Sequence, residues 1–159
     1  MQSDFKTVKI FKNGGIYKEH ISIDKTKPDY KMIKNTGIEF ARLGKNVNAL
    51  PVVHFKSAEY AKIYGALEKT KYYRKCPDLL IDDLFYEVEN YIPPFAKKKV
   101  NRMIGNGLKQ SSNIIINNTN GVSDRHIRRL IYDHDHIGTE INEVWIYEKG
   151  KIRRFFKKQ

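Results

Sequence analysis

Apolar and polar positions in the first half of the chain alternate in short blocks that predict strands and helices in turn. Two apolar stretches flank Asn13-Gly14, a dipeptide that accepts the positive φ of a tight turn, which predicts a β-hairpin. Apolar residues recur near helical spacing from Asp29 to Gly44, so we expect a helix there, although Gly37 disfavours it. NVNALPVV predicts a strand, and the segment after Ser57 predicts a short helix capped by that serine.

The second half of the chain repeats this alternation. Two apolar runs after Pro77, DLLID and LFYEVEN, are separated by a single residue, which predicts a second tight hairpin. KKKVNRMIGNGLKQ keeps its apolar residues on one helical face and so predicts an amphipathic helix with a basic outer side. NIIIN is a continuous apolar run, which indicates a central strand buried on both faces.

The chain ends with a helix and a third hairpin. Ser123 is the expected cap of the helix, and the two last strands, EVWIYE and KIRRFFK, meet at Lys149-Gly150. Hairpins mixed with strand-helix-strand crossovers predict an α/β fold with a mixed central sheet flanked by helices. We expect a single domain over 1–159. It comprises an N-terminal hairpin extension (1–28), a core (29–135) and a C-terminal hairpin (139–159).

Charge suggests a polyanionic partner. Lysine and arginine number 30 against 18 acidic residues, which gives a formal net charge of +12 and a pI near 9.7. Such an excess favours nucleic acid, while charge alone leaves an acidic membrane surface or an acidic protein open. No stretch reaches the roughly 20 apolar residues that span a bilayer, the start lacks a signal-peptide core, and Cys76 is the single cysteine. We therefore expect a cytoplasmic protein without a membrane partner.

An acidic cluster interrupts this basic chain. Asp78, Asp82, Asp83, Glu87 and Glu89 lie within twelve positions. On a strand Glu87 and Glu89 point to the same face, and two adjacent carboxylates repel unless a metal or a basic side chain lies between them. The alternative is structural, with both glutamates on the solvated face of an edge strand and Asp82-Asp83 forming its turn.

Three stretches together resemble the core of PD-(D/E)xK nucleases, especially the nuclease-toxin domains at the C-termini of contact-dependent growth inhibition proteins. They are IEFARLGKNVNALPVV, CPDLLIDDLFYEVEN and KVNRMIGNGLKQSSNIII, which lie within about residues 37–117. In that pattern a helix Glu precedes a G-x-x-V strand, an Asp opens a hairpin, and an E-x-K strand follows. The resemblance implies a restriction-endonuclease-like core and metal-dependent phosphodiester hydrolysis of RNA or DNA. It also makes an immunity protein a candidate partner and implies delivery into a target-cell cytoplasm.

The same resemblance assigns the site residues. Glu39, Asp78 (or Asp82) and Glu87 would hold Mg²⁺ or another divalent cation, which activates water for the hydrolysis. Glu89 stands where the family has a Lys that polarises the scissile phosphate, so Glu89 is either an additional ligand or a mark of lost activity. Lys109 and Gln110, at the helix end where related nucleases carry a Gln, are expected to complete the catalytic set.

Two other functions fit the sequence. One is a nucleic-acid-binding domain that kept the nuclease fold without turnover, and the other is a metal-independent, barnase-like RNase that uses a His-Glu or Lys pair. Asp133 to His136 read DHDH, but successive helical residues diverge by about 100°, so a polar helix end is preferred to a metal site. The residues expected to contact nucleic acid are Lys97, Lys98, Arg102, Arg125, Arg128, Arg129, Arg153 and Arg154.

Overall fold

The computed structural model describes residues 4–91 and 94–159, and within them the fold is α/β with mixed sheets and flanking helices, as predicted. Contacts group the chain into two compact units, Met1–Phe85 and Tyr86–Gln159. The single domain over 1–159, with its internal boundaries, stays a prediction. In the described part of the chain, no helix is long and apolar enough to cross a membrane.

The first unit contains a mixed sheet of strand order β1-β2-β3-β4. Strand β1 runs antiparallel to β2, β2 runs parallel to β3, and β3 runs antiparallel to β4. The predicted N-terminal hairpin is therefore confirmed, and its turn contains Gly14 at φ +94°. The elements of this unit are β1 (Phe5–Ile10), β2 (Ile16–His20), α1 (Tyr30–Arg42), β3 (Asn46–Ala49), α2 (Ala58–Tyr64) and β4 (Leu79–Ile81).

Helix α1 follows the sequence prediction at both ends. Asp29 occupies the N-cap position, and Gly44, at φ +91°, follows the C-cap. Gly37 was expected to weaken this helix, yet its lack of a side chain is what the packing requires. A Cβ at this position would lie 2.6 Å from Cε1 of the buried Tyr17 ring.

Turn and cap residues fix the rest of this unit. Ser57 Oγ accepts a hydrogen bond from the Tyr60 backbone N–H at 3.1 Å, so the predicted cap of α2 is confirmed. Asp82 and Asp83 both have positive φ, 45° and 70°, and form the tight turn that follows β4. Asp82 Oδ1 also accepts from the Asn46 backbone N–H at 2.9 Å, so this carboxylate binds the start of β3.

The second unit is built on three parallel strands and one antiparallel strand. Strand β5 starts in the last two residues of the first unit, and from Tyr86 onward β5, β6 and β7 run parallel while β8 runs antiparallel to β7. All five residues of β6 are buried, which confirms the prediction for NIIIN. The elements are β5 (Leu84–Glu89), α3 (Val100–Gln110), β6 (Asn113–Asn117), α4 (Asp124–His136), β7 (Glu143–Glu148) and β8 (Lys151–Lys157).

The core of this unit lies between the sheet and the apolar faces of its two helices. Ile104 and Leu108 of α3 and Ile127 of α4 cluster with Ile114 and Ile116 of β6. Helix α4 begins at the predicted cap, where Ser123 Oγ accepts from the His126 N–H. It ends at His136, so the DHDH segment forms a polar helix end, as the sequence indicated. Parallel strands place their carboxyl ends at one edge of a sheet, the usual location of binding sites in such folds.

Candidate functional site

Glu89 closes β5 at the carboxyl edge of the parallel strands. Its register partner is Ile116, so its side chain shares the sheet face that α3 covers. A Cβ on Gly107 of α3 would lie 2.6 Å from Glu89 Cγ and 3.2 Å from Oε1. Glu89 therefore packs against α3 and is only partly exposed, so the alternative of a fully solvated strand face is wrong for this residue.

A cavity of about 190 Å³ opens beside Glu89, between the carboxyl end of β5 and the first turns of α3. Its lining joins one carboxylate with two basic side chains, two amides and two aromatic rings. Two of these, Glu89 and Arg102, are residues that the sequence singled out. The polar and aromatic members are Glu89, Lys99, Arg102, Asn90, Asn106, Tyr91 and Phe95.

The basic side chains near this cavity are not neutralised by acids. Within 4–91 and 94–159, no acidic side chain lies within ion-pair distance of Lys97, Lys98, Lys99 or Arg102. Lys99 Nζ donates a hydrogen bond to the Pro94 carbonyl at 3.3 Å, which leaves its charge unpaired. An anionic group entering the cavity would therefore meet two cations that no ion pair neutralises, beside the single carboxylate of Glu89.

The aromatic wall of the cavity is fixed by hydrogen bonding and ring contact. The Tyr91 hydroxyl donates to Asn118 Oδ1 at 3.1 Å, and the Phe95 ring stands edge-on to Tyr91 with centroids 4.9 Å apart. Burial, and next the negative charge of Glu148, raise the pKa of Tyr91 to about 12. Tyr91 is thus a neutral hydroxyl at physiological pH.

Asn90 lines the same cavity and is hydrogen-bonded to Asn117 of β6 behind it. Asn90 Oδ1 accepts from the Tyr91 backbone N–H at 2.9 Å and from Asn117 Nδ2 at 3.3 Å. Asn117 is 6% exposed, and its buried Oδ1 has no hydrogen-bond partner among the residues described. An unsatisfied buried acceptor is costly, so this oxygen gains from any donor that reaches it.

The residues expected to bind a metal are divided between the units. Glu39 lies on α1 of the first unit with Oε2 3.0 Å from Arg42 Nε, and Asp78 directly precedes β4. Glu87 lies on β5 in the second unit and is partly buried. Within the described ranges, no three Asp, Glu, His or Cys side chains form a group suited to one metal ion. The Mg²⁺ site at Glu39, Asp78 and Glu87 stays a prediction.

Asp78 lines a different cavity, of about 240 Å³, within the first unit. Tyr17 and Tyr30 form part of its wall, and both hydroxyls donate to Glu19, at 2.8 Å and 2.7 Å. Burial, and next the Glu19 carboxylate, raise the pKa of Tyr17 well above its usual value and that of Tyr30 to about 12. Glu19, which is 4% exposed, was not predicted as a site residue, although its alternation with Tyr17 along β2 places both on one face of the strand.

The remaining predicted residues are mostly exposed. Lys109 is exposed and Gln110 partly buried at the end of α3, and Lys97 and Lys98 lie on the 3₁₀ turn before that helix. Their roles in binding and catalysis stay predictions. The exposed arginines expected to contact nucleic acid are Arg125, Arg128 and Arg129 on α4, and Arg153 and Arg154 on β8.

Two of these arginines have acidic neighbours. Arg153 is 2.7 Å from Asp124 and 3.4 Å from Glu148, and the hydrogen bonds to Asp124 raise the pKa of its guanidinium. Arg154 lies 3.9 Å from Glu143, a buried acid that was not predicted as a site residue. Glu143 accepts from the Tyr86 hydroxyl at 2.7 Å. Its contacts stabilise the unit and leave little access for a ligand.

Comparison with known proteins shows a similarity of fold. No protein-family model matches the chain, and no curated protein matches it. A chain of the CdiA-CT/CdiI toxin and immunity complex from Burkholderia pseudomallei has a similar structure, with a TM-score of 0.52 at 19% sequence identity. The match covers 87% of this chain and 91% of that one, so the likeness extends through most of both folds.

Proposed function

We propose that this chain is a toxin-like domain that cleaves phosphodiester bonds in nucleic acid. The observation that carries the proposal is the cavity lined by Glu89, Lys99 and Arg102 together with amide and aromatic side chains. Cleavage of a phosphodiester needs cations for the phosphate charge and a group that accepts a proton from the attacking oxygen. This cavity brings both kinds of group together.

Each part of the cavity has a role in binding a nucleotide. Arg102 presents a planar fork of donors suited to phosphate oxygens, and Lys99 adds a second positive charge. Phe95 offers a ring for base stacking, and the amides of Asn90 and Asn106 supply donors and acceptors for a base edge or sugar. Glu89 is the proton acceptor of the set.

Similarity of fold and net charge support the toxin part of the proposal. The structural neighbour belongs to a toxin and immunity complex, and the net charge of +12 suits a domain that acts on nucleic acid. We propose an immunity protein as the partner of this chain on the same basis. A partner that covers the cavity would block substrate entry.

The elements expected from the PD-(D/E)xK resemblance also support a nuclease. Glu39 lies on a helix ahead of the strand that contains Val47, Asp78 directly precedes β4, and Glu87 lies on β5. The resemblance predicts a metal site in which Glu39, Asp78 and Glu87 hold a divalent cation. Removing divalent ions is its direct test.

The first experiment measures cleavage by the purified chain. We expect degradation of at least one substrate among transfer RNA, single-stranded RNA and plasmid DNA, tested with Mg²⁺ and with EDTA. The double variant Lys99→Ala/Arg102→Ala should lose most of this activity. The control Lys31→Ala/Lys62→Ala removes two exposed helix lysines of the first unit and should keep it.

Three outcomes contradict parts of the proposal. Salt-sensitive retention of nucleic acid without cleavage of any substrate would show a binding domain and overturn the nuclease. Equal losses in the two double variants would show that net charge, and not the cavity, determines the activity. Loss of cleavage in EDTA would support the Mg²⁺ prediction, and cleavage that persists would argue against it.

A further inference from the structure

We infer that the substrate of the cavity beside Glu89 is RNA, and that Glu89 accepts the proton of the ribose 2′-hydroxyl next to the scissile phosphate. This inference rests on the proposed function and assigns its substrate class. It starts from the location of a carboxylate in the wall of a cavity whose other charged groups are the cations Lys99 and Arg102.

The packing of Glu89 fixes where its carboxylate lies. Gly107 is buried on α3, and the space that a side chain there would fill is taken by Glu89 Cγ, Cδ and Oε1, at 2.6–3.2 Å from the position of a Cβ. The glycine thus allows strand β5 and helix α3 to hold the acid between them. A group held in this way is positioned before substrate binds, which lowers the cost of ordering it.

Electrostatics favours RNA over DNA at this location. A phosphate bound by Lys99 and Arg102 brings negative charge close to the Glu89 carboxylate, and the two repel. A ribose 2′-hydroxyl offsets this repulsion because it donates a hydrogen bond to the carboxylate. Deoxyribose has no hydroxyl to donate, so the acid then meets the phosphate without compensation.

The reaction that follows is an internal transesterification. Glu89 takes the 2′-hydroxyl proton, the 2′-oxygen forms a bond to phosphorus, and the bond from phosphorus to the 5′-oxygen breaks. The leaving 5′-oxygen takes a proton from solvent, and Glu89 returns its proton to solvent. Products are a 2′,3′-cyclic phosphate and a 5′-hydroxyl, with no oxidant, reductant or water consumed. Arg102 and Lys99 stabilise the charge that builds on phosphorus oxygens.

The test compares one RNA oligonucleotide with the deoxy oligonucleotide of the same sequence, both in EDTA because the proposed step uses no metal ion. Cleavage under these conditions would therefore count against the Mg²⁺ site that the family resemblance predicts. We expect cleavage of the RNA alone, with 2′,3′-cyclic phosphate and 5′-hydroxyl ends identified by mass spectrometry. The deoxy oligonucleotide should inhibit this cleavage competitively, because it still binds through its phosphates.

Variants then assign the role to Glu89. Glu89→Gln keeps the shape and removes the base, so cleavage should fall by about 10²–10⁴-fold while competition by the deoxy oligonucleotide persists. The control Glu68→Gln changes an exposed acid of the first unit and should cleave normally. Circular dichroism of both variants establishes that they fold.

Failure of the inference can be told from failure of the proposed function. No cleavage of any nucleic acid under any condition means that the proposed function is wrong. Cleavage of both oligonucleotides, products with 5′-phosphates, or full activity of Glu89→Gln would overturn the inference and leave a nuclease of another mechanism.

Discussion

Replacing Gly107 by alanine should damage catalysis far more than stability. The added Cβ would lie 2.6 Å from Glu89 Cγ, closer than carbon atoms approach in proteins, so one of the two must move. The backbone of α3 is fixed by its buried face, which includes Ile104 and Leu108. The side chain of Glu89 is the movable partner, and we expect its carboxylate to be displaced.

The magnitudes follow from the two opposing effects on folding. Alanine is favoured over glycine inside a helix by about 1 kcal/mol. Overpacking lowers the free energy of unfolding by about 1–3 kcal/mol, and a neighbour that can move keeps this cost near 1 kcal/mol. The free energy of unfolding should therefore change by less than about 1 kcal/mol. Misplacing a catalytic group by about 1 Å costs on the order of 10²-fold in rate, so kcat/KM on RNA should fall by about that factor.

The assay pairs urea unfolding with RNA cleavage and includes a control from the same helix. Gly105→Ala adds a methyl group whose nearest contact is His134 Cε1 at 3.3 Å, so Glu89 is not disturbed. This control should keep its activity. Full activity of Gly107→Ala, or equal losses in both variants, would refute the role of Gly107 in positioning Glu89.

Two further predictions concern stability. Gly37→Ala should destabilise the chain by about 1–2 kcal/mol in urea unfolding, because the added Cβ would lie 2.6 Å from the buried Tyr17 ring. The Tyr17 hydroxyl is hydrogen-bonded to Glu19, so the ring cannot move freely and the cost of overpacking exceeds the gain in helix propensity. Unchanged stability would contradict this packing. The free energy of unfolding should also fall as pH rises from about 10 to about 12. In the folded state the pKa values of Tyr30 and Tyr91 are raised to about 12, whereas in the unfolded chain they lie near 10. The unfolded chain therefore loses these protons first, which favours unfolding over this pH range. Tyr30→Phe/Tyr91→Phe should flatten this decline when unfolding is measured across that pH range, and an unchanged slope would show that these hydroxyls do not cause it.

The elements of the fold could be predicted because local patterns determine them. Asn13-Gly14 and Asp82-Asp83 form tight turns, Ser57 and Ser123 cap helices, and the apolar run of β6 is buried throughout. Each of these depends on residues close in sequence. Gly37 is the exception, since its reason lies in the ring of Tyr17, twenty positions earlier and on another element.

The site was harder to predict because its residues meet only after folding. Glu89 was identified as a departure from a family pattern. Gly107, which leaves room for the Glu89 side chain, has no side chain whose chemistry would indicate a role. Lys99 and Asn106 were missed because exposed polar residues on an amphipathic helix, or in the turn just before it, look alike in sequence. For Glu39 the sequence does contain a signal of a structural role, since Arg42 follows at the i+3 spacing of a helical ion pair.

The most direct test of the account is to locate nucleic acid on the protein by backbone amide NMR. A short deoxy oligonucleotide is titrated into labelled protein, so that binding is observed without cleavage. We predict that shift changes concentrate at residues 89–91 and 95–106, around the cavity beside Glu89. Changes confined to the other cavity, at Asp24, Tyr30 and Asp78, would contradict the account.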